Sequence, residues 1–126
     1  MKKLFFPLLI LSFLLFQKCY YDKEELLYMS ISSNCDTTNI TYAGTISPII
    51  STYCLGCHGN SAAASSGSGI KLENYADVKV MVDNGRFPGA VFQKSGYSAM
   101  PKDAGKLSDC KLSQIDIWIK SGSPNN

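Results

Sequence analysis

The densest chemistry in this chain lies in five consecutive residues, Cys54-Leu55-Gly56-Cys57-His58. Two thiols three positions apart at a helix end lie on neighbouring turns, and the histidine that follows offers a ring nitrogen beside them. This C-x-x-C-H spacing is the attachment signature of a c-type haem. Each thiol can bond one vinyl group, which places His58 under the iron as an axial ligand. The covalent links hold the macrocycle even when an axial bond breaks.

Three other readings of the same residues compete. A structural zinc site could use Cys54, Cys57 and His58, but it needs a fourth donor, which only Cys35 or Cys110 could supply. A thioredoxin-like dithiol needs a strand before the motif and a βαβ frame around it, whereas the preceding segment has a helical pattern. A Cys54–Cys57 disulfide would close a very small loop and stabilise little. Haem is the reading the spacing favours.

A second axial ligand must come from elsewhere. His58 is the only histidine, so bis-histidine ligation within this chain is impossible. Met100 is the favoured donor: it lies in a loop after Gly96 and before Pro101, well past the motif, with water or another side chain as the alternative. Met29 falls outside the expected domain, and Met81 lies on a helix stripe where a core role is expected. With His58 and Met100 both bound, the iron would be six-coordinate and its reduced state favoured. Ile49, Tyr53, Leu72, Tyr97 and Trp118 are expected to bury the group, and His58 to donate its other ring N–H to a backbone carbonyl between Gly67 and Leu72. Arg86 and Tyr75 are candidates to hold the propionates, against ordinary surface or packing roles.

The elements that must position these residues are helical. A first helix is expected from Thr45 or Ser47, with Ser47 as cap and Pro48 in the first turn, ending at Gly59. Its stripe is Ile46, Ile49, Ile50, Tyr53, Cys54 and Cys57. Residues 60–69 form a Ser/Ala/Gly-rich loop. A second helix fits Tyr75 to Val82, capped by Asn74 and stopped at Asn84-Gly85. A short turn or helix follows Pro88 around Gly89 to Gln93, and Gly96 to Gly105 is loop. The last helix has Ser108 as cap, Asp109 in its first turn and Gly122 with Pro124 as its stop; Leu112, Ile115, Trp118 and Ile119 form its buried face. No comparable segment alternates with period two, so the expected class is all-α, with three to five helices.

The chain of 126 residues supports one such domain. Met1-Lys2-Lys3 and the thirteen-residue apolar run Leu4 to Phe16 make an export signal, since a membrane-spanning helix needs roughly 20 residues. Cys19 stands where a lipoprotein signal would be cut and its cysteine acylated, although Gln17 and Lys18 precede it in place of small residues; an uncleaved N-terminal anchor is the alternative. Residues 1–18 are thus read as signal and 19–40 as tether, with one helical turn near Glu24 to Tyr28, and 41–126 as the domain. Loss of Lys2, Lys3 and Lys18 leaves nine basic residues against ten acidic ones. The signs are mixed along the chain and nothing favours a nucleic-acid partner. Cys35 and Cys110 remain, and in an oxidising compartment they are expected to pair, the alternative being two separate buried thiols.

Taken together, C-x-x-C-H, the Tyr97-Ser98-Ala99-Met100-Pro101 loop and the ending Lys106-Leu107-Ser108-Asp109-Cys110 through Trp118-Ile119 resemble the small class I cytochrome c domains. The resemblance is closer to membrane-tethered bacterial cytochrome c lipoproteins, which are also similar in Cys19-Tyr20-Tyr21-Asp22 and in Asn84-Gly85-Arg86. It covers nearly all of the mature chain. It implies a cytochrome c-like domain around one covalent haem c, first and last helices packed near the haem edge, and electron transfer on the periplasmic side of a membrane with redox partner proteins of the envelope. It implies a carrier, not an enzyme. A haem-based binding or sensing module, or a weak peroxidase in which Met100 leaves the iron, is the alternative.

Overall fold

The structure is a computed structural model, and it describes residues 35–102 and 104–126. The expectations for the signal at 1–18, for Cys19, for Met29 and for the turn near Glu24 to Tyr28 lie outside the described residues. Among the described residues there is no strand, as the absence of any period-two pattern predicts. The helices are α1 (Ser47–Tyr53), α2 (Leu55–His58), α3 (Ala63–Ser66), α4 (Tyr75–Asp83), α5 (Arg86–Val91) and α6 (Asp109–Lys120), preceded by a π-helical turn at Tyr42–Ile46. No described helix is long and apolar enough to cross a membrane.

The helix expected from Thr45 or Ser47 to Gly59 is therefore three pieces. It begins earlier, because the Thr41 hydroxyl accepts from the Gly44 N–H at 3.0 Å and starts the π turn; Ser47 is then inside the helix, not its cap. It is broken at Cys54, whose φ of −120° departs from helical values, and Gly59 ends it as expected. The loop expected at residues 60–69 contains one short helical turn, closed by backbone bonds such as Gly67 N–H to the Ala63 carbonyl at 3.0 Å. Alanines there supply the propensity and no apolar stripe, which hides the turn from periodicity. Helix α5 starts at Arg86, ahead of Pro88, because Gly85 takes the left-handed conformation (φ 78°) and Pro88 falls in the first turn, where it is tolerated. Asn74 and Ser108 do stand at the N-caps of α4 and α6, but neither makes a side-chain cap bond.

One core joins these pieces. Ile46, Val78, Ile115 and Trp118 are its fully buried large side chains, each stabilising by about 1.5–3 kcal/mol through loss of apolar surface. The Tyr42 ring lies 4.9 Å from that of Tyr75 and 5.7 Å from that of Trp118, so the first turn packs on the last helix. Hydrogen bonds close the same contact: Trp118 Nε1 donates to the Pro124 carbonyl at 2.9 Å, and the Ala43 N–H to the Asn126 carbonyl at 2.8 Å.

Cys35 and Cys110 are joined by a disulfide with a Cα–Cα distance of 5.6 Å, as expected. Gln114 Nε2 also donates to the Asp36 carbonyl at 2.9 Å. Residues from Cys35 onward are thus part of the compact unit Cys35–Asn126, with Cys35 and Asp36 tied to α6.

Candidate functional site

The cysteine–histidine motif is built on the kink between α1 and α2. Across the kink the ladder continues: the Cys54 N–H donates to the Ile50 carbonyl and the His58 N–H to the Cys54 carbonyl, both at 2.8 Å. A turn of helix therefore separates Cys54 from His58 and places Cys57 between them. Both cysteines are free thiols, Cys54 half-buried against the core and Cys57 exposed. Burial pushes the Cys54 thiol up to about 11, so it is protonated at neutral pH.

The ring of His58 is buried, and its Nδ1 lies 3.0 Å from the Ile70 carbonyl oxygen. A carbonyl only accepts, so Nδ1 carries the proton, which leaves Nε2 as the nitrogen available to a ligand. The carbonyl falls inside the segment Gly67 to Leu72 that the sequence suggested. The same strap is held twice more, by the Leu72 N–H to the His58 carbonyl at 2.9 Å and by the Asn60 N–H to Glu73 Oε2 at 2.6 Å. Gly67 lets it approach: a methyl there would lie 2.5 Å from the Cys57 carbonyl oxygen and 2.9 Å from His58 Nδ1. Sequence reasoning did not single out this glycine, since one more Gly in a Ser/Ala/Gly-rich loop gives no signal.

Met100 lies on a separate segment. It is half-buried, and its N–H donates to the Ala90 carbonyl at 3.1 Å, which ties it to α5. Of the residues expected to bury a haem, Ile49, Leu72 and Trp118 belong to the protein core, whereas Tyr53 and Tyr97 are 41% and 45% exposed. Tyr53 instead lies under the ammonium of Lys111, 5.4 Å from its ring centroid. Tyr75 is a packing residue: its hydroxyl donates to the Ser123 carbonyl at 2.8 Å and its ring meets Tyr42, which occupies the donor a propionate would need. Arg86 is exposed, with its N–H on Asn84 Oδ1 at 3.0 Å, and its guanidinium pairs with no described carboxylate.

Among the described residues no three His, Cys, Asp or Glu side chains converge as a metal group would need, and the disulfide uses the two thiols that could have completed a zinc site. No described strand precedes Cys54 to form a thioredoxin-like frame. Cys54 and Cys57 are not bonded to each other. Two thiols able to form carbon–sulfur bonds and an imidazole within one helical turn of Cys54 are residue types whose chemistry fits a covalently held haem. No protein-family model, no curated protein and no solved structure matches this chain.

Proposed function

We propose that the chain is a single-haem c-type cytochrome with a class I-like cytochrome c fold, which transfers electrons at a membrane surface in the cell envelope. The observation that carries the reading is the pairing of two free thiols with His58, whose Nδ1–H is fixed on the Ile70 carbonyl. Haem, when bound, supplies an iron that gains and loses one electron. Cys54 and Cys57 would hold it by thioether bonds, each thiol hydrogen passing to the vinyl carbon that does not bond sulfur. His58 would give Nε2 and Met100 its thioether sulfur as iron ligands.

The rest of the chain's part is positional. The Ile70 carbonyl keeps the proton on Nδ1 and the imidazole in one orientation, which raises its basicity as a ligand. The Ala90 carbonyl holds the Met100 backbone. The Cys35–Cys110 disulfide supports an exported location, because such bonds persist in oxidising compartments; Cys19 as lipid anchor and envelope redox proteins as partners complete the proposal.

The test is optical. The oxidised holoprotein should show a methionine-to-iron charge-transfer band, and the reduced form should leave its spectrum unchanged under carbon monoxide. Rapid carbon monoxide binding would sink the carrier reading and favour a sensing module or weak peroxidase in which Met100 leaves the iron.

A further inference from the structure

Tyr97 is 45% exposed, yet its ring has a fixed seat. A methyl carbon built on Gly89 would overlap ring atoms Cγ, Cδ1 and Cε1, so the ring lies directly on the bare backbone of α5. The other end of the same side chain reaches Gly85: the Tyr97 hydroxyl oxygen is 3.6 Å from where a methyl there would sit. Gly85 and Gly89 are one helical turn apart, joined by the Gly89 N–H to the Gly85 carbonyl at 3.0 Å. They form a slot with no Cβ on its floor, and the tyrosine ring runs along it from Gly89 to Gly85.

Tyr97 sits three residues ahead of Met100. The segment between them has little else to hold it. Residues 95–99 are all exposed, and Gly96 turns the chain with φ 87°. Among the described residues, the one hydrogen bond from 97–101 to a helix is the Met100 N–H to Ala90. Ala90 is the residue after Gly89, so the ring contact and the hydrogen bond grip α5 side by side. An apolar ring on bare backbone adds dispersion and buried area to a single bond that water could otherwise replace.

We propose that Tyr97, seated in the Gly85–Gly89 slot, is a positioning residue that keeps the Met100 segment on α5, and thereby decides how readily Met100 leaves the iron. The second half rests on the function proposed above; the first half does not. Tyr97 acts through the backbone of Met100, as a latch on a low-stability segment. Filling the slot and removing the ring should have the same effect, because both break one contact.

The experiment uses three variants of the full chain in its haem-loaded form: Tyr97→Ala, Tyr97→Phe and Gly89→Ala. Two readouts are taken, hydrogen exchange of the Met100 amide and the rate of carbon monoxide binding to the reduced protein. Tyr97→Ala should speed Met100 exchange by about tenfold or more, as loss of a local contact does, and should raise the carbon monoxide rate in parallel. Gly89→Ala should do the same, and Tyr97→Phe, which keeps the ring, should behave like the parent. Tyr97→Ala alters an exposed side chain, so its helical circular dichroism should match the parent even if Gly89→Ala folds poorly. Unchanged Met100 exchange in Tyr97→Ala would overturn the latch. If the parent itself lacks the methionine-to-iron band, the functional reading fails, and exchange of the Met100 amide still decides the latch.

Discussion

His58 and Ile70 are joined by a 3.0 Å hydrogen bond from the imidazole Nδ1 to the main-chain carbonyl, and Gly67 leaves room for it. Gly67→Ala should therefore crowd the Cys57 carbonyl and the His58 ring together. Overpacking of this kind costs about 1–3 kcal/mol, which denaturant unfolding would register as a lower midpoint with an unchanged slope. Parent-like stability in Gly67→Ala would mean that the strap does not approach so closely.

Removing the disulfide should loosen the start of the unit without dissolving its helices. The bond spans 75 residues, a loop for which the chain-entropy model gives about 4 kcal/mol and engineered cases often less. The double variant Cys35→Ser/Cys110→Ser should unfold at lower denaturant by about 2–4 kcal/mol, with its far-ultraviolet circular dichroism retained. The double change avoids leaving a lone reactive thiol.

The two motif thiols should differ in reactivity in protein made without haem. Cys57 is exposed, whereas burial holds Cys54 at about 11 against an ordinary 9.0. At pH 8 iodoacetamide should label Cys57 first, with Cys54 slower than an ordinary thiol by roughly one to two orders of magnitude, because the thiolate is the nucleophile. The sign of the pH effect on stability follows. Between pH 9 and 11 the unfolded Cys54 would ionise while the folded one stays protonated, so the haem-free protein should lose stability as pH rises through that window. Equal labelling of both thiols would contradict the burial of Cys54.

Tyr75→Phe tests a packing role against a haem-contact role. The substitution leaves the ring on Tyr42 and orphans the Ser123 carbonyl, which should cost about 1 kcal/mol. Its reduction potential and visible spectrum should match the parent. A shifted potential with unchanged stability would return Tyr75 to the haem.

Much of this arrangement was legible in the sequence, for reasons that differ by residue. Cys54, Cys57 and His58 are fixed by covalent spacing on one helix end, and the single histidine leaves no rival. The acceptor segment for His58 could be bounded, because the chain must turn back between Gly59 and Leu72; that the acceptor is Ile70 depends on the turn at Ala63–Ser66, which carries no apolar period. The pairing of Cys35 with Cys110 followed from the count of cysteines, and with it the tie between the entry of the domain and the start of α6; the Gln114 bond to the Asp36 carbonyl did not, since a polar side chain gives no partner in sequence. Tyr53 and Tyr97 could be read as residues able to cover a haem, but not their seats against the protein, which are an ammonium and a glycine slot. The slot was not legible: Gly85 and Gly89 stand four apart, a spacing that means something only once α5 is known to start at Arg86.

The central claim is covalent haem on Cys54 and Cys57, and intact mass after denaturation tests it most directly. Protein exported from cells that can attach haem, then unfolded and extracted with acidified organic solvent, should retain the mass of one haem per chain. The variant Cys54→Ala/Cys57→Ala should retain none. A parent chain whose mass after extraction is that of polypeptide alone, with both thiols still open to alkylation, would contradict the account.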